Sequence, residues 1–440
     1  MNHNALRPYL TLQFSATDET FFEGVYKLPA AHCFTYDLAT HTMDVRRYWD
    51  CDFSEIDKPF EEYVDELDEV VHESVSAHRI ADVKVGSFLS GGVDSSYIAA
   101  CLMPDKTFSV GFDYNKFNET NYAKELSDKL GIENYRKMIS ADEFFEALPE
   151  IQYHMDEPQS NLSSVPLWFL AQMAAEQVTV VLSGEGADEI FGGYAWYEDN
   201  PSVAKYKRMV PFGVRRALGK TAKHMPYFKG HNFLMKGAEM AEEYFVGQAL
   251  VWPEREVSSV LRPEYDKGEG AFELAAPIYA RVSDKSELIR KQYLDMNMWL
   301  PGDILLKADK MCMAHSLELR VPFLDRRVME FAEHIPDRYR VNENGNKLVL
   351  RHAANKSLPD EWATRPKVGF PVPMIYWLRE EKWYNWVKEY FTAPWASEFF
   401  DCDVLMGLLD EHYEGKAQNQ RKIYTPLVFL IWYKRYFIDE

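Results

Sequence analysis

From Phe60 onward apolar residues recur every three or four positions, at Phe60, Val64, Leu67, Val71 and Val75, and predict an amphipathic helix opening after Pro59. The period then changes. Val83–Leu89 is a short, mostly apolar run ending in a glycine-rich turn, and Tyr97–Met103 returns to helical spacing. Thr107–Phe112 reads as a second strand, Tyr122–Leu130 as a helix stopped by Gly131, and Asn134–Ile139 as a third strand. Ser140 with Glu143 forms a capping box that opens another helix. Leu167–Glu176 is helical in pattern, and Val178–Leu182 is the clearest buried strand of the chain. Strand and helix taking turns predict an α/β fold, a parallel sheet with helices on both faces, whose ligand lies beyond the carboxyl ends of the strands. After Tyr194 strand signals fade and aromatic-rich helices run to the C-terminus. Residues 1–52 read differently, as short alternating segments with turns such as Phe21–Tyr26 and His32–Tyr36. The expected organisation is a β appendage over 1–52, an α/β core over 53–200 and a helical remainder over 201–440.

Composition narrows the partners. With 440 residues, 47% hydrophobic and 27% charged, the chain buries a large core and is not disordered. A net charge of −20 repels phosphate polymers and anionic membranes, so neither nucleic acid nor membrane is an expected partner. Five scattered cysteines form no C-x-x-C pair, and no basic-then-apolar leader opens the sequence; both features fit a soluble protein of the reducing cytoplasm. The exposed aromatic residues expected near Phe21, Phe22, Tyr26 and Trp49 form a patch able to drive homodimer formation.

Two loops follow strands and suit oxyanions. In Ser90-Gly91-Gly92-Val93-Asp94-Ser95-Ser96 the glycines let the backbone turn and approach a ligand, while hydroxyls, N–H groups and the following helix terminus favour phosphate. Asp94 repels that phosphate unless Mg²⁺ or a hydroxyl lies between them. The second loop, Ser183-Gly184-Glu185-Gly186-Ala187-Asp188-Glu189, places three carboxylates at a strand end. Cations must share such a site, which points to Mg²⁺ with a polyphosphate and joins the two loops into one site. A third feature is dismissed: Gly213 and Gly219-Lys220-Thr221 imitate a Walker A loop, but five residues part the glycines and no strand leads in. Seven Lys or Arg between Lys205 and Lys223 read as a solvated helical face.

The first loop resembles the pyrophosphate loop of the ATP pyrophosphatase superfamily, with its adenine nucleotide alpha hydrolase-like (PP-loop) fold. The second loop, the Lys307–Asp325 segment and Arg365-Pro366-Lys367-Val368-Gly369 narrow the resemblance to the synthetase domain of glutamine-hydrolysing asparagine synthetases, over residues 8 to at least 373. The resemblance implies a carbon–nitrogen ligase that converts aspartate, with ATP as substrate and Mg²⁺, to β-aspartyl-AMP and then, with ammonia, to asparagine. It implies Leu89, Val110, Ser183 and Gly184 near adenosine; Ser90, Gly91, Gly92, Asp94, Ser95 and Ser96 around pyrophosphate and Mg²⁺; and Asp188 as a second metal carboxylate. Glu185 falls where the family has the acceptor of ammonia's proton, and Lys367 where it has a cation beside the α-phosphate. Arg320 and Asp325 are expected as an ion pair, either shaping the pocket or purely structural.

The front of the chain departs from that pattern. Glutamine-dependent members carry an amidotransferase domain with a cysteine nucleophile behind the initiator Met, and position 2 here is Asn2. Residues 1–52 resemble only the tail of that domain, so the nitrogen donor is expected to be free ammonia or ammonia from a glutaminase domain or subunit outside this chain. The alternative within the superfamily is an intramolecular amide-forming ligase, a β-lactam synthetase or peptide cyclase. Such enzymes need no ammonia base, and Glu185 is the discriminating residue.

Overall fold

The computed structural model describes residues 1–114, 119–198, 200–225, 230–365 and 371–439. Helix α1 (Leu6–Leu12) comes first, then a hairpin of β1 (His32–Asp37) and β2 (Thr42–Arg47). Helix α2 (Phe60–His78) buries Tyr63, Val64, Leu67, Val71 and Val75, and Glu61 and Glu62 in its first turn complement the helix dipole. The core then alternates β3 (Val85–Phe88), α3 (Val93–Leu102), β4 (Lys106–Phe112), α4 (Thr120–Leu130), β5 (Glu133–Ile139), α5 (Ala141–Met155), α6 (Ser164–Ala175), β6 (Val180–Leu182) and α7 (Ala187–Phe191). Gly131 closes α4 at φ 72°, and the Ser140–Glu143 capping box opens α5.

The sheet is parallel, in the order β5-β4-β3-β6-β7. One core packs α5, α6 and the helix Gln420–Tyr433 on one side; a second packs α2 and α3 on the other. Chain direction across the sheet reverses between β3 and β6, and such a switch point opens a crevice at the strand carboxyl ends. Both loops singled out above leave the sheet there. Gly86 keeps β3 and β4 close, since a Cβ on it would meet Phe108 at 2.7 Å.

Two expectations need correction. The first is β7 (Glu318–Arg320), a strand in a stretch where strand signals had faded; three residues are too few for a period, and its ladder with Val180–Leu182 supplies the order. The second concerns the N-terminus, read as alternating β segments. Residues 6–12 are helical, and Leu6, Tyr9, Leu10 and Phe21 are wholly buried. The Tyr9 hydroxyl donates to the Thr425 carbonyl at 2.9 Å, and Phe21 and Phe22 pack on Trp432, so these two aromatic residues form no open patch. Tyr26 and Trp49 are exposed, as are Phe34, Leu38 and Met43 on the hairpin. The Walker A look-alike from Gly213 to Thr221 lies within the helix Phe212–Lys223, and its basic neighbours are matched locally, Lys207 by Glu287 and Arg216 by Glu243.

Candidate active site

A cavity of about 290 Å³ opens at the switch point. Leu89, Ser90, Gly92, Asp94, Ser95, Val110, Ser183, Gly184, Glu185 and Asp188 all line it. The two loops touch: a Cβ on Gly184 would stand 2.7 Å from Ser95 N and 2.9 Å from Asp94 Cβ, so only glycine permits the approach. The first loop is organised by its own hydroxyls. Ser90 N donates to Ser95 Oγ at 3.1 Å, Gly92 N to Ser90 Oγ at 3.3 Å, and the two hydroxyls meet at 3.0 Å. Ser109 Oγ donates to the Leu89 carbonyl at 2.7 Å and fixes the strand end. In the second loop Glu185 N donates to Ser183 Oγ at 3.2 Å, and Ser183 N to the Arg320 carbonyl at 2.9 Å. Strand β7 thus holds the second loop through its backbone.

Gly91 and Ser96 stand behind the lining. Gly91 has φ +82°, and its carbonyl accepts from Arg365 Nη1 at 3.0 Å. Arg365, which lines the cavity with Glu119, also pairs with Glu119 at 2.8 Å and stacks over Tyr122, clamping the loop. Ser96 is fully buried on the inner face of α3. Lys367 lies outside the described residues.

The three expected carboxylates divide. Glu189 turns into the core, where it accepts from the Tyr194 hydroxyl at 2.6 Å. Asp188 and Asp94 face one another across Lys347, whose Nζ stands 2.7 Å from an oxygen of each. Burial alone would push the Lys347 ammonium down, but Asp188 and Asp94 outweigh it and hold its pKa above the usual lysine value. Gly193 makes the room, since a Cβ there would overlap both Asp188 and Lys347. Among the described residues no group of three or more His, Cys, Asp or Glu forms a metal cluster. Two carboxylates do fit Mg²⁺ when phosphate oxygens and water complete its shell, and Asp94 Oδ1 is buried with no hydrogen-bond partner among the described residues.

Glu185 is separate from that pair. Burial raises its carboxyl above the ordinary range; Lys307 opposes the shift and Asp303 adds to it. Its Oε2 is buried and has no hydrogen-bond partner among the described residues. Lys307, 5% exposed, lines the same cavity and donates to Ser163 Oγ at 2.9 Å.

The Arg320–Asp325 ion pair does not form. Arg320 Nε pairs with Glu318 at 2.7 Å and its Nη1 caps the His78 and Ile80 carbonyls, while Asp325 caps the helix Arg326–Ala332 and pairs with Arg327. Neither side chain lines the cavity. Sequence reading passed over Lys347, Arg351 and Glu119, and it gave no role to Lys307 and Arg365, which it met only as the first residues of segments that carry the resemblance. Lys347 carries one local signal, the Asn344-Gly345-Asn346 turn before an apolar helical run, but nothing local connects it with Asp94.

Fold and site define a class: a parallel α/β enzyme with a cavity lined by charged side chains at the switch point of its sheet. The model of the asparagine synthase family matches residues 66–434. The chain is 37% identical over 450 residues to asparagine synthetase (glutamine-hydrolyzing) 1 of Bacillus subtilis strain 168, covering all of this chain and 71% of that one. It is 37% identical over 446 residues to a putative asparagine synthetase (glutamine-hydrolyzing) of Mycobacterium bovis, covering 98% and 67%. A solved NMN synthetase from Francisella tularensis overlaps 31% of this chain and 60% of its own at 18% identity and a TM-score of 0.22, too slight a likeness to argue from. The chain belongs to the asparagine synthase family and is a ligase, and asparagine synthesis is the activity this membership supports. No described helix is long and apolar enough to cross a membrane.

Proposed function

We propose that the chain joins ammonia to aspartate in two steps within this cavity, through β-aspartyl-AMP. The contact of the two strand-end loops carries the reading, because it puts the hydroxyl- and amide-rich loop, the Asp94–Lys347–Asp188 cluster and Glu185 around one space. In the first step a β-carboxylate oxygen of aspartate attacks the α-phosphorus of ATP, the bond to the bridging oxygen breaks, and pyrophosphate leaves with the electron pair. Loop N–H groups and the Ser90 and Ser95 hydroxyls are suited to the charge gathering on that leaving group. Asp94 and Asp188 would hold Mg²⁺, which when bound neutralises the triphosphate. The role of Lys367 beside the α-phosphate rests on family resemblance.

In the second step nitrogen must attack as free ammonia, since ammonium has no lone pair. Glu185 takes the proton. Burial that raises its pKa strengthens it as an acceptor, and Lys307 keeps the ionised form accessible. The nitrogen then bonds to the acyl carbon and AMP leaves. A glutamate lining the cavity suits the proton that ammonium gives up, whereas an intramolecular amide-forming ligase would take its proton from an amine of the substrate itself. Ammonia from solution or from a glutaminase serves the same step.

The test is ATP–pyrophosphate exchange across free amino acids, followed by product analysis with ammonium. Aspartate-dependent exchange is expected, with AMP and asparagine formed only when ammonium is present. Glu185→Gln should keep the exchange and lose asparagine. A wild-type chain with no aspartate-dependent exchange would sink the proposal.

A further inference from the structure

A second cavity, of about 400 Å³, adjoins the first, with Ser163 lining both. The helix Gln420–Tyr433 forms one wall: Arg421, Tyr424 and Thr425 are spaced i, i+3 and i+4, and all three line the space. Arg421 commits only Nη2 to the protein, donating to Gln13 Oε1 at 3.1 Å and the Ala249 carbonyl at 3.2 Å, and it makes no ion pair among the described residues. Most of its five N–H donors stay available for a planar anion. Tyr424 is 1% exposed, and its hydroxyl has no hydrogen-bond partner among the described residues. An unmet hydroxyl at that depth is costly unless a ligand supplies the partner.

The surroundings preserve this openness. Asp303 acts on Arg421 electrostatically, yet Gln13 stands between them, accepting from the guanidinium and donating to Asp303 Oδ2 at 2.9 Å. Gln13 does so from a left-handed backbone at φ 63°, a conformation that costs free energy for a residue with a side chain. Asn161 Nδ2 holds the same Asp303 oxygen at 2.9 Å. Both amides keep the acid occupied and the guanidinium unneutralised.

We infer that this cavity receives the α-carboxylate of the amino-acid substrate, with Arg421 as its bidentate partner and the Tyr424 hydroxyl as a second donor. The inference rests on the reading of aspartate as substrate. Aspartate carries two carboxylates and only one is activated, so the site must bind the other away from the phosphate loop. A guanidinium on the far side of Ser163 does that and leaves the β-carboxylate to enter the adenylation cavity.

The test compares ATP–pyrophosphate exchange on L-aspartate and on its α-amide, which keeps the β-carboxylate but lacks the charged α-group. Wild type should prefer aspartate by about 100-fold or more in kcat/KM, as expected of a site built around a charged hydrogen bond. Arg421→Gln should cut that preference to within a few-fold by raising the KM for aspartate about tenfold or more, with the KM for ATP unchanged. Arg421→Lys should recover part of it, and Tyr424→Phe should lower it by about fivefold. General loosening of the helix would slow both substrates alike and leave the preference intact. Wild-type preference in both Arg421→Gln and Tyr424→Phe overturns the inference while the aspartate reading stands; no aspartate-dependent exchange in wild type removes both.

Discussion

The two walls of the active cavity are built in opposite ways. The sheet-side wall comes from two short loops, residues 89–96 and 183–188, each continuous in sequence and each following a strand. The facing wall comes from Lys307, Lys347, Arg351 and Arg365, four basic side chains from three segments, far along the chain from the acids they face. One wall is a motif and the other is an assembly. Local loops set the shape that a phosphate chain can enter, and the distant cations set the charge balance that lets half-buried carboxylates stay there, as Lys347 does for Asp94 and Asp188.

Glu185 joins the two walls, because it sits on the motif side, where burial raises its proton affinity, and Lys307 on the other opposes that rise. Glu185→Gln should lower asparagine formation by about 100-fold or more, read by amino-acid analysis, with pyrophosphate exchange retained. The same variant tests the electrostatics. A folded-state pKa raised above the ordinary 4.5 means that the native state binds the extra proton, so ionising Glu185 opposes folding as pH rises from the unfolded value through the folded one. Glu185→Gln should therefore melt no lower than wild type at pH 7, and its advantage should fade toward pH 4. A variant that melts well below wild type at pH 7 would show that Lys307 overrides burial.

Gly184→Ala tests the motif wall alone. The new Cβ meets backbone of the first loop, at 2.7 Å from Ser95 N and 2.8 Å from Asp94 C, so the loops must part. A shift of this size should reduce pyrophosphate exchange by about 100-fold while the fold persists. Near-normal exchange would mean that the two loops work independently.

Lys347→Met tests the assembled wall. It leaves two carboxylates facing each other without their ammonium, and thermal or urea unfolding should show a loss of about 2 kcal/mol. The figure is at the modest end because the side chains of Asp94 and Asp188 remain 21% and 19% exposed. Added Mg²⁺ should recover part of it, since a cation held by the same oxygens replaces the missing charge. Stability unchanged in the variant would mean that the carboxylates find solvent instead.

The same division decides how much could be read from sequence. The alternation of strands and helices, the α4 stop at Gly131, the Ser140–Glu143 box and both loops are local signals, and the structure has each of them. Strand β7 was hidden because three residues carry no period, and α1 because its helical face is buried on every side and shows no polar stripe. Glu189 could not be told from Asp188 by spacing; only the fold turns one toward Tyr194 and the other toward Lys347. Lys347 itself was out of reach, since attraction between charges leaves no trace in the residues adjoining either one. Arg320 and Asp325 illustrate the opposite error, an opposite-charge pair five positions apart that looks like a partnership.

That pair gives the smallest and cleanest test. Arg320 spends its guanidinium on Glu318 and on the carbonyls of His78 and Ile80, and Asp325 spends its carboxylate on Arg327 and on the N-terminus of the helix Arg326–Ala332. Asp325→Ala alone should cost about 1 kcal/mol, the worth of an N-cap. Arg320→Ala should cost a similar amount by uncapping two carbonyls. Among the described residues the two side chains share His78 as a partner, 4.0 Å from Asp325, a contact too long to couple them strongly. A double-mutant cycle should therefore be additive to within about 0.5 kcal/mol, whereas an ion pair of the expected kind would couple them by more than that. Neither substitution should change the KM for ATP or aspartate, because neither side chain reaches the cavity.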